Sequence, residues 1–220
     1  MISIAIDGPA GAGKSSIARA AAERLHYIYV DTGALYRTIG LAAVRNNTDI
    51  QNEDEVSELL KGLEISLVFL NGEQHVLLGD EDVSNEIRTE QASMMASKVS
   101  AVPAVRAFLL DTQRDFAKTD NVLMDGRDIG TVVLPNASVK IFLTASPEIR
   151  AKRRTKQLEE KGVKCDYNDV LQDIITRDYN DSHREIAPLK PAENAIILDT
   201  SDMTLEESID TLVKIVEEKV

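Results

Sequence analysis

The chain opens on a short apolar run, Ile2 to Ile6, which ends at Asp7 and a glycine-rich turn. From Ser15 to Leu25 the pattern becomes that of a helix rich in Ala, Arg and Glu. Strand, turn and helix in that order open a βαβ unit. Tyr27 to Val30 predicts a second short strand, and Gly33 to Arg45 a helix with Leu35, Ile39 and Ala42 or Ala43 on one side. Near residue 63 the pattern changes. Two apolar runs, Ile65–Leu70 and Glu73–Leu78, flank Asn71-Gly72 and predict a β-hairpin, because both turn residues tolerate positive φ. Val83 is a candidate start for a third antiparallel strand. Residues 63–90 thus read as a small antiparallel insertion in an otherwise parallel design. Glu90 to Thr119 is helical, with Pro103 starting a new helix rather than sitting inside one. Parallel-sheet signals return at Asn121–Asp125 and Val139–Ala145, the latter followed by Ser146-Pro147-Glu148, an N-cap, a first-position proline and a first-turn acid. Ala195–Asp199 predicts the last strand and Thr204–Lys219 an amphipathic closing helix. The fold class is α/β: one parallel core domain over residues 1–220 with one β-insertion.

Composition narrows the function classes. The 220 residues are enough for one well-cored domain, and 43% hydrophobic with 28% charged residues is ordinary for a globular chain. No apolar run approaches the roughly 20 residues that span a bilayer, and the N-terminal residues lack a basic stretch of the kind that begins a signal peptide. The expected location is the cytoplasm, with no membrane partner. A single cysteine, Cys165, excludes an intrachain disulfide framework. The net charge of −12 argues against a nucleic-acid polymer as partner, since phosphate backbones select basic faces. It leaves room for a small anion in a local basic pocket.

That anion has a candidate loop. Gly8, Pro9, Ala10, Gly11, Ala12, Gly13, Lys14 and Ser15 complete the pattern G-x-x-x-x-G-K-[ST], between an apolar strand and a helix. The glycines turn backbone N–H groups inward around a phosphate, and the helix aims its positive end at the same place. Lys14 reaches the β and γ phosphates, Ser15 suits Mg²⁺, and Ser16 completes the ATP-binding stretch. Ser16 also stands where a dinucleotide-binding G-x-G-x-x-G would need its last glycine, so that rival fails. No Asn-Lys-x-Asp element is present to read guanine. A small-molecule kinase needs several cations around the moving phosphoryl group. Arginines do gather after the predicted strands: Arg37, Arg127, the run Arg150, Arg153, Arg154, and then Arg177 and Arg184. Asp125 ends an apolar strand and is either a water-mediated Mg²⁺ acid or a strand-end turn former. The insertion either lines an acceptor site or presents a hairpin to a protein partner, which would make the chain a nucleotide-switch module instead of an enzyme.

In order along the chain, IDGPAGAGKS, DTGALYR, SKVSAVPAVR, DGRDIGT, the arginine-rich stretch and RD-x-x-D-x-x-R resemble the bacterial cytidylate kinase family, from Ile4 to Asp199. The resemblance implies a nucleoside monophosphate kinase fold: a five-stranded parallel sheet, a lid at about 150–165 and a monophosphate-binding insertion at about 63–90. It implies transfer of the ATP γ-phosphoryl to CMP or dCMP, with Mg²⁺, by a monomer. Matched by motif, Thr32, Tyr36 and Arg37 belong to the acceptor segment, with Arg37 on the CMP phosphate. Ser97, Arg106 and Asp128 match base-reading residues. Arg127, Arg177, Asp181 and Arg184 match contacts to the phosphate and sugar of CMP. Lys14, Arg127, Arg153 and Arg177 are the expected catalytic set, with Arg150 and Arg154 as further ATP contacts.

Elementary chemistry agrees with the base assignment. Cytosine offers an N4 amino donor with N3 and O2 acceptors. An ionised Asp128 only accepts, which suits the amino group, and Arg106 and Ser97 donate. Uracil reverses the pattern and leaves buried polar groups unpaired, at about 1–3 kcal/mol each. His26, His75 and His183 have no metal-binding spacing, and Cys165 has no histidine near it in sequence.

Overall fold

A computed structural model describes residues 1–70 and 73–220. The predicted hairpin turn at Asn71-Gly72 lies outside the described residues. In chain order the elements are β1 (Ser3–Asp7), α1 (Lys14–Leu25), β2 (Ile28–Asp31), α2 (Thr32–Arg45), α3 (Glu53–Lys61), β3 (Ile65–Leu70), β4 (Glu73–Leu78), β5 (Glu81–Asp82), α4 (Glu90–Val99), α5 (Pro103–Thr119), β6 (Val122–Gly126), β7 (Val139–Thr144), α6 (Pro147–Glu160), α7 (Tyr167–His183), β8 (Ile196–Asp199) and α8 (Leu205–Glu217). The chain divides into two compact units, one of Met1–Tyr29 with Asp120–Val220 and one of Val30–Thr119. The second is larger than the β-insertion the sequence suggests.

The first unit is built on the five-stranded sheet, ordered β2-β6-β1-β7-β8. β1 pairs in parallel with β6 and β7, and β7 in parallel with β8. β1 and β6 are buried almost throughout, which explains why both read as unbroken apolar runs rather than alternating ones. On one face, Ile17, Ala18, Ala21 and Ala22 of α1 and Ile209, Leu212 and Val216 of α8 close over Ile4, Ile6, Leu123, Ile141 and Leu143. The small alanines let α1 lie close to the sheet. A capping box between Thr204 and Glu207 starts α8, Ser146 caps α6 ahead of Pro147, and Asp166 caps α7. α6 and α7 pack on each other through Ala151, Leu158, Val170 and Ile174.

The second unit surrounds α2. Asp31 caps α2 through the Ala34 N–H. Leu35, Tyr36 and Ile39 pack with Val56 and Leu60 of α3 and with Val99, Val105 and Leu109. The antiparallel sheet β3-β4-β5 is present as the apolar runs predict. Its third strand ends one residue before Val83, which is buried with Ala34, Val76 and Ile87. Pro103 does begin a new helix. α3 has no counterpart in the pattern reading above. Its signal is local: Asn52 accepts from the N–H groups of Asp54 and Glu55, and three acids occupy the first turn. At Gly40, α2 comes so close to α4 that an added Cβ would lie 2.8 Å from the Met95 Cβ. Among the described residues no single helix is long and apolar enough to cross a membrane.

Candidate active site

The glycine loop of the first unit has the backbone its sequence demands. Gly8, Gly11 and Gly13 have φ of 151°, 74° and 87°. A Cβ on Gly8 would lie 1.9 Å from the Leu143 carbonyl oxygen, so only glycine passes this strand end. Lys14 is buried and donates from Nζ to the Pro9 carbonyl at 2.8 Å. Burial pushes its ammonium down to about 7, and nearby Arg127 pushes the same way against Asp125, Asp181 and Asp7. A phosphate here relieves that penalty.

Ser15 donates from Oγ to Asp125 Oδ2 at 3.0 Å, and the buried Tyr29 hydroxyl donates to Asp125 Oδ1 at 3.0 Å. A hydroxyl and a carboxylate, both hard oxygen donors, suit Mg²⁺ held largely by nucleotide phosphates and water.

Lys14 and three arginines form a run of like-charged neighbours: Lys14 with Arg127, and Arg177 with Arg127 and Arg154. Arg127 donates from Nε to Asp181 Oδ2 at 2.9 Å. Arg177 is shifted below its ordinary value, first by burial and then by Arg127, with Arg154 acting in the same direction. Its Nε is buried with no hydrogen-bond partner. Arg154 donates within its own helix, to Gln157 Oε1 at 2.8 Å. Burial and like-charged neighbours both press against the charged forms of Lys14 and Arg177, so an anion is favoured here. Close by, Arg184 donates from Nη2 to Asp128 Oδ1 at 3.4 Å and from Nε to the Ala187 carbonyl at 2.7 Å.

Arg150, expected at ATP, and Arg153, expected in the catalytic set, both hold protein partners. Arg150 is 3% exposed; its Nε donates to Ala145 O, Nη1 to Ala10 O, and Nη1 with Nη2 to the Asp178 carboxylate. It braces the glycine loop from behind through the Ala10 carbonyl. Arg153 donates to the Thr200 carbonyl at 2.6 Å and to Thr200 Oγ1 at 3.2 Å, so it pins the turn between β8 and α8. Of the three arginines expected in the lid, Arg154 is the one whose charge bears on Arg177.

In the second unit, Arg37 donates to Asp31 Oδ2 at 2.7 Å. Thr32 is buried at the first turn of α2. The Arg106 guanidinium lies 5.8 Å from the centroid of the Tyr36 ring, a cation–π distance, and donates from Nη1 to Ser100 O. Ser100 Oγ in turn donates to the carbonyl of Ser97. Tyr36, Arg106 and the Ser97–Ser100 turn thus form one cluster.

Sequence reasoning passed over Asp7, Tyr29 and Asp178. Tyr29 carried a signal, a polar hydroxyl in an otherwise apolar strand. Asp178 sits beside Arg177 in the motif but points to Arg150. Asp7 accepts from the backbone N–H groups of Ile129 and Gly130 at 2.7 and 2.8 Å.

Residues 4–218 match the family model described as cytidylate kinase. The chain is 49% identical to "Cytidylate kinase 1" of Haemophilus influenzae over 94% of this chain and 90% of that one. It is also 49% identical to "Cytidylate kinase" of Caldicellulosiruptor saccharolyticus, over 97% and 95%. A solved structure of an uncharacterized protein from Eubacterium ventriosum shares the fold at a TM-score of 0.53 and 13% identity, covering 99% of this chain and 98% of that one. With its glycine loop, its neighbouring cations and this near full-length similarity, the chain belongs to the cytidylate kinase family.

Proposed function

We propose that the protein is an ATP-dependent kinase of CMP and dCMP, giving ADP with CDP or dCDP in pyrimidine nucleotide metabolism of the cytoplasm. The observation that carries this is the group of Lys14, Arg127, Arg154 and Arg177 at the glycine loop, in a chain of this family.

In the reaction, an oxygen of the CMP phosphate forms a bond to the γ-phosphorus of ATP. The bond from that phosphorus to the β–γ bridging oxygen breaks, and ADP leaves with the electron pair. A phosphate monoester is already an anionic nucleophile, so the protein needs no general base. Its work is alignment and charge neutralisation. The glycine loop, from Gly8 to Ser16, wraps the β-phosphate, and Lys14 leaves Pro9 for the phosphate oxygens. Arg154 and Arg177 face the moving phosphoryl group. When bound, Mg²⁺ neutralises phosphate charge, and Ser15 and Asp125 are the residues that would hold it.

On the acceptor, Arg37, Arg127 and Arg184 suit the CMP phosphate because a guanidinium matches two phosphate oxygens at once. Each is held by a carboxylate, from Asp31, Asp181 and Asp128 respectively, which fixes the direction of its fork. Asp181 and Arg177 serve the sugar side. Asp128, Arg106 and Ser97 read cytosine, with Thr32 and Tyr36 shaping the acceptor segment.

A coupled assay with ATP and a panel of nucleoside monophosphates tests this. The expected result is near silence without an acceptor and rapid ADP release with CMP or dCMP. Slow ATP hydrolysis that no monophosphate accelerates would instead indicate a nucleotide switch.

A further inference from the structure

Asp7 is nearly fully buried at the end of β1, one residue before the glycine loop. A bare carboxylate is costly there, and burial pushes its pKa up to about 6. What it holds is specific. Oδ1 accepts from the Ile129 N–H at 2.7 Å and Oδ2 from the Gly130 N–H at 2.8 Å. These are the two residues that follow Asp128.

They also open an unusual wide turn, Ile129–Val133, in which the Val132 and Val133 N–H groups both reach the Asp128 carbonyl and the Leu134 N–H reaches the Ile129 carbonyl. As at the start of any helical turn, its first N–H groups have no acceptor within the turn, and turns of this width cluster at functional sites. Asp128 itself has φ −145° and ψ 27°, outside the regular helix and strand regions. The turn therefore takes its anchorage from Asp7. A Cβ on Gly130 would stand 3.3 Å from Asp7 Oδ2 and 3.3 Å from Lys140 Cδ, so the approach is close on all sides.

We propose that Asp7 is a positioning residue for base recognition: by gripping the Ile129 and Gly130 amides it fixes the main chain of Asp128, and so the aim of the carboxylate that reads the cytosine amino group. The inference rests on the reading of Asp128 given above. It requires a carboxylate, because the two N–H donors need two accepting oxygens. An asparagine offers one oxygen and sets its own NH₂ against the second donor. The same residue continues directly into Gly8, so the grip ties the glycine loop and the base-reading turn to one strand end.

The test compares Asp7→Asn and Asp128→Ala by kcat/KM for CMP and for UMP, with ATP saturating. Asp128→Ala is expected to collapse the CMP:UMP ratio. If it does not, the reading of Asp128 fails and this proposal falls with it. With Asp128 confirmed, Asp7→Asn is expected to lower the ratio by at least about fivefold, mostly through KM for CMP. A wild-type ratio in Asp7→Asn, even with both substrates slower, overturns the role of Asp7, since a merely structural defect slows both alike. Should Asp7→Asn not fold, Asp7→Glu, which keeps the carboxylate but moves it by one methylene off the Ile129 and Gly130 amides, is expected to lower the ratio in the same way, and an unchanged ratio there overturns the proposal too.

Discussion

Arg150 and Asp178 form a two-pronged ion pair, 3.0 Å at Nη1 and 2.5 Å at Nη2, between helices α6 and α7. The arginine is buried and the aspartate three-quarters so. Because Nη1 also holds the Ala10 carbonyl, the pair joins the glycine loop to the helix that carries Arg177 and Asp181 and is followed by Arg184. Removing one partner of such a pair leaves a charge without compensation. Arg150→Met is therefore expected to cost about 3 kcal/mol of stability, measured by urea unfolding. Arg154→Met should leave the unfolding midpoint nearly unchanged and lower turnover at least about 100-fold, because its charge is spent on the transition state and not on the fold. The reverse pattern would return Arg150 to the ATP contacts.

Lys14 gives a different dissociation of stability from rate. Its ammonium is buried, with one hydrogen bond to a carbonyl and a depressed pKa. Lys14→Ala should fold with an unchanged or higher melting temperature, yet lose at least about 100-fold in kcat. Circular dichroism melts and initial rates on the same preparation decide the point.

Gly40 makes a prediction in the second unit. An added methyl would meet the Met95 Cβ at 2.8 Å, and α2 carries Tyr36 and Arg37 while α4 carries Ser97. Gly40→Ala is expected to cost about 1–3 kcal/mol through overpacking and to raise KM for CMP. Gly62→Ala is the control: φ is −94° and the nearest atom to an added Cβ is 3.9 Å away. There the change in stability should stay below about 1 kcal/mol.

Asp7 also makes stability depend on pH. Its pKa is raised in the fold from 3.8 to about 6, chiefly by burial, with the Gly130 and Ile129 N–H groups opposing. The native state thus holds the proton more tightly than the unfolded chain. Its contribution to stability is full below about pH 4 and is lost as pH rises through 6, by roughly 3 kcal/mol at most. Urea unfolding across this range is expected to show the wild type losing stability relative to Asp7→Asn as pH rises. A difference that stays flat would mean that Asp7 titrates as it does in the unfolded chain.

What the sequence makes legible is what is local. The loop from Gly8 to Ser15 and its flanking strand and helix form one contiguous pattern, and so do the hairpin runs and the break at Pro103. The commitment of each arginine is not local. Arg150 and Arg154 differ by one helical turn in a single basic run, yet Arg150 is claimed by a carboxylate 28 residues on and a carbonyl 140 residues back. No periodicity records that. Asp7 was hidden for a similar reason: its partners are backbone amides, which every residue carries. α3 escaped because it is short and polar outside Val56 and Leu60, so its N-cap carries the signal rather than its apolar face.

The order in which the polypeptide is made gives the layout of the sheet a further meaning. Val30–Thr119 is a continuous stretch, but β1 takes its neighbours from β6 and β7, and the Ile2 amide reaches the Asn121 side chain 119 residues away. On the ribosome, the second unit has all its residues before either neighbour of β1 has been synthesised. Until then Ile4, Ala5 and Ile6 are an apolar strand with two bare edges, the kind of segment on which nascent chains aggregate and chaperones act. The nucleotide loop rests on that strand, so competence to bind ATP arrives only once β6 and β7 have been made, and a product terminated before them holds no active loop.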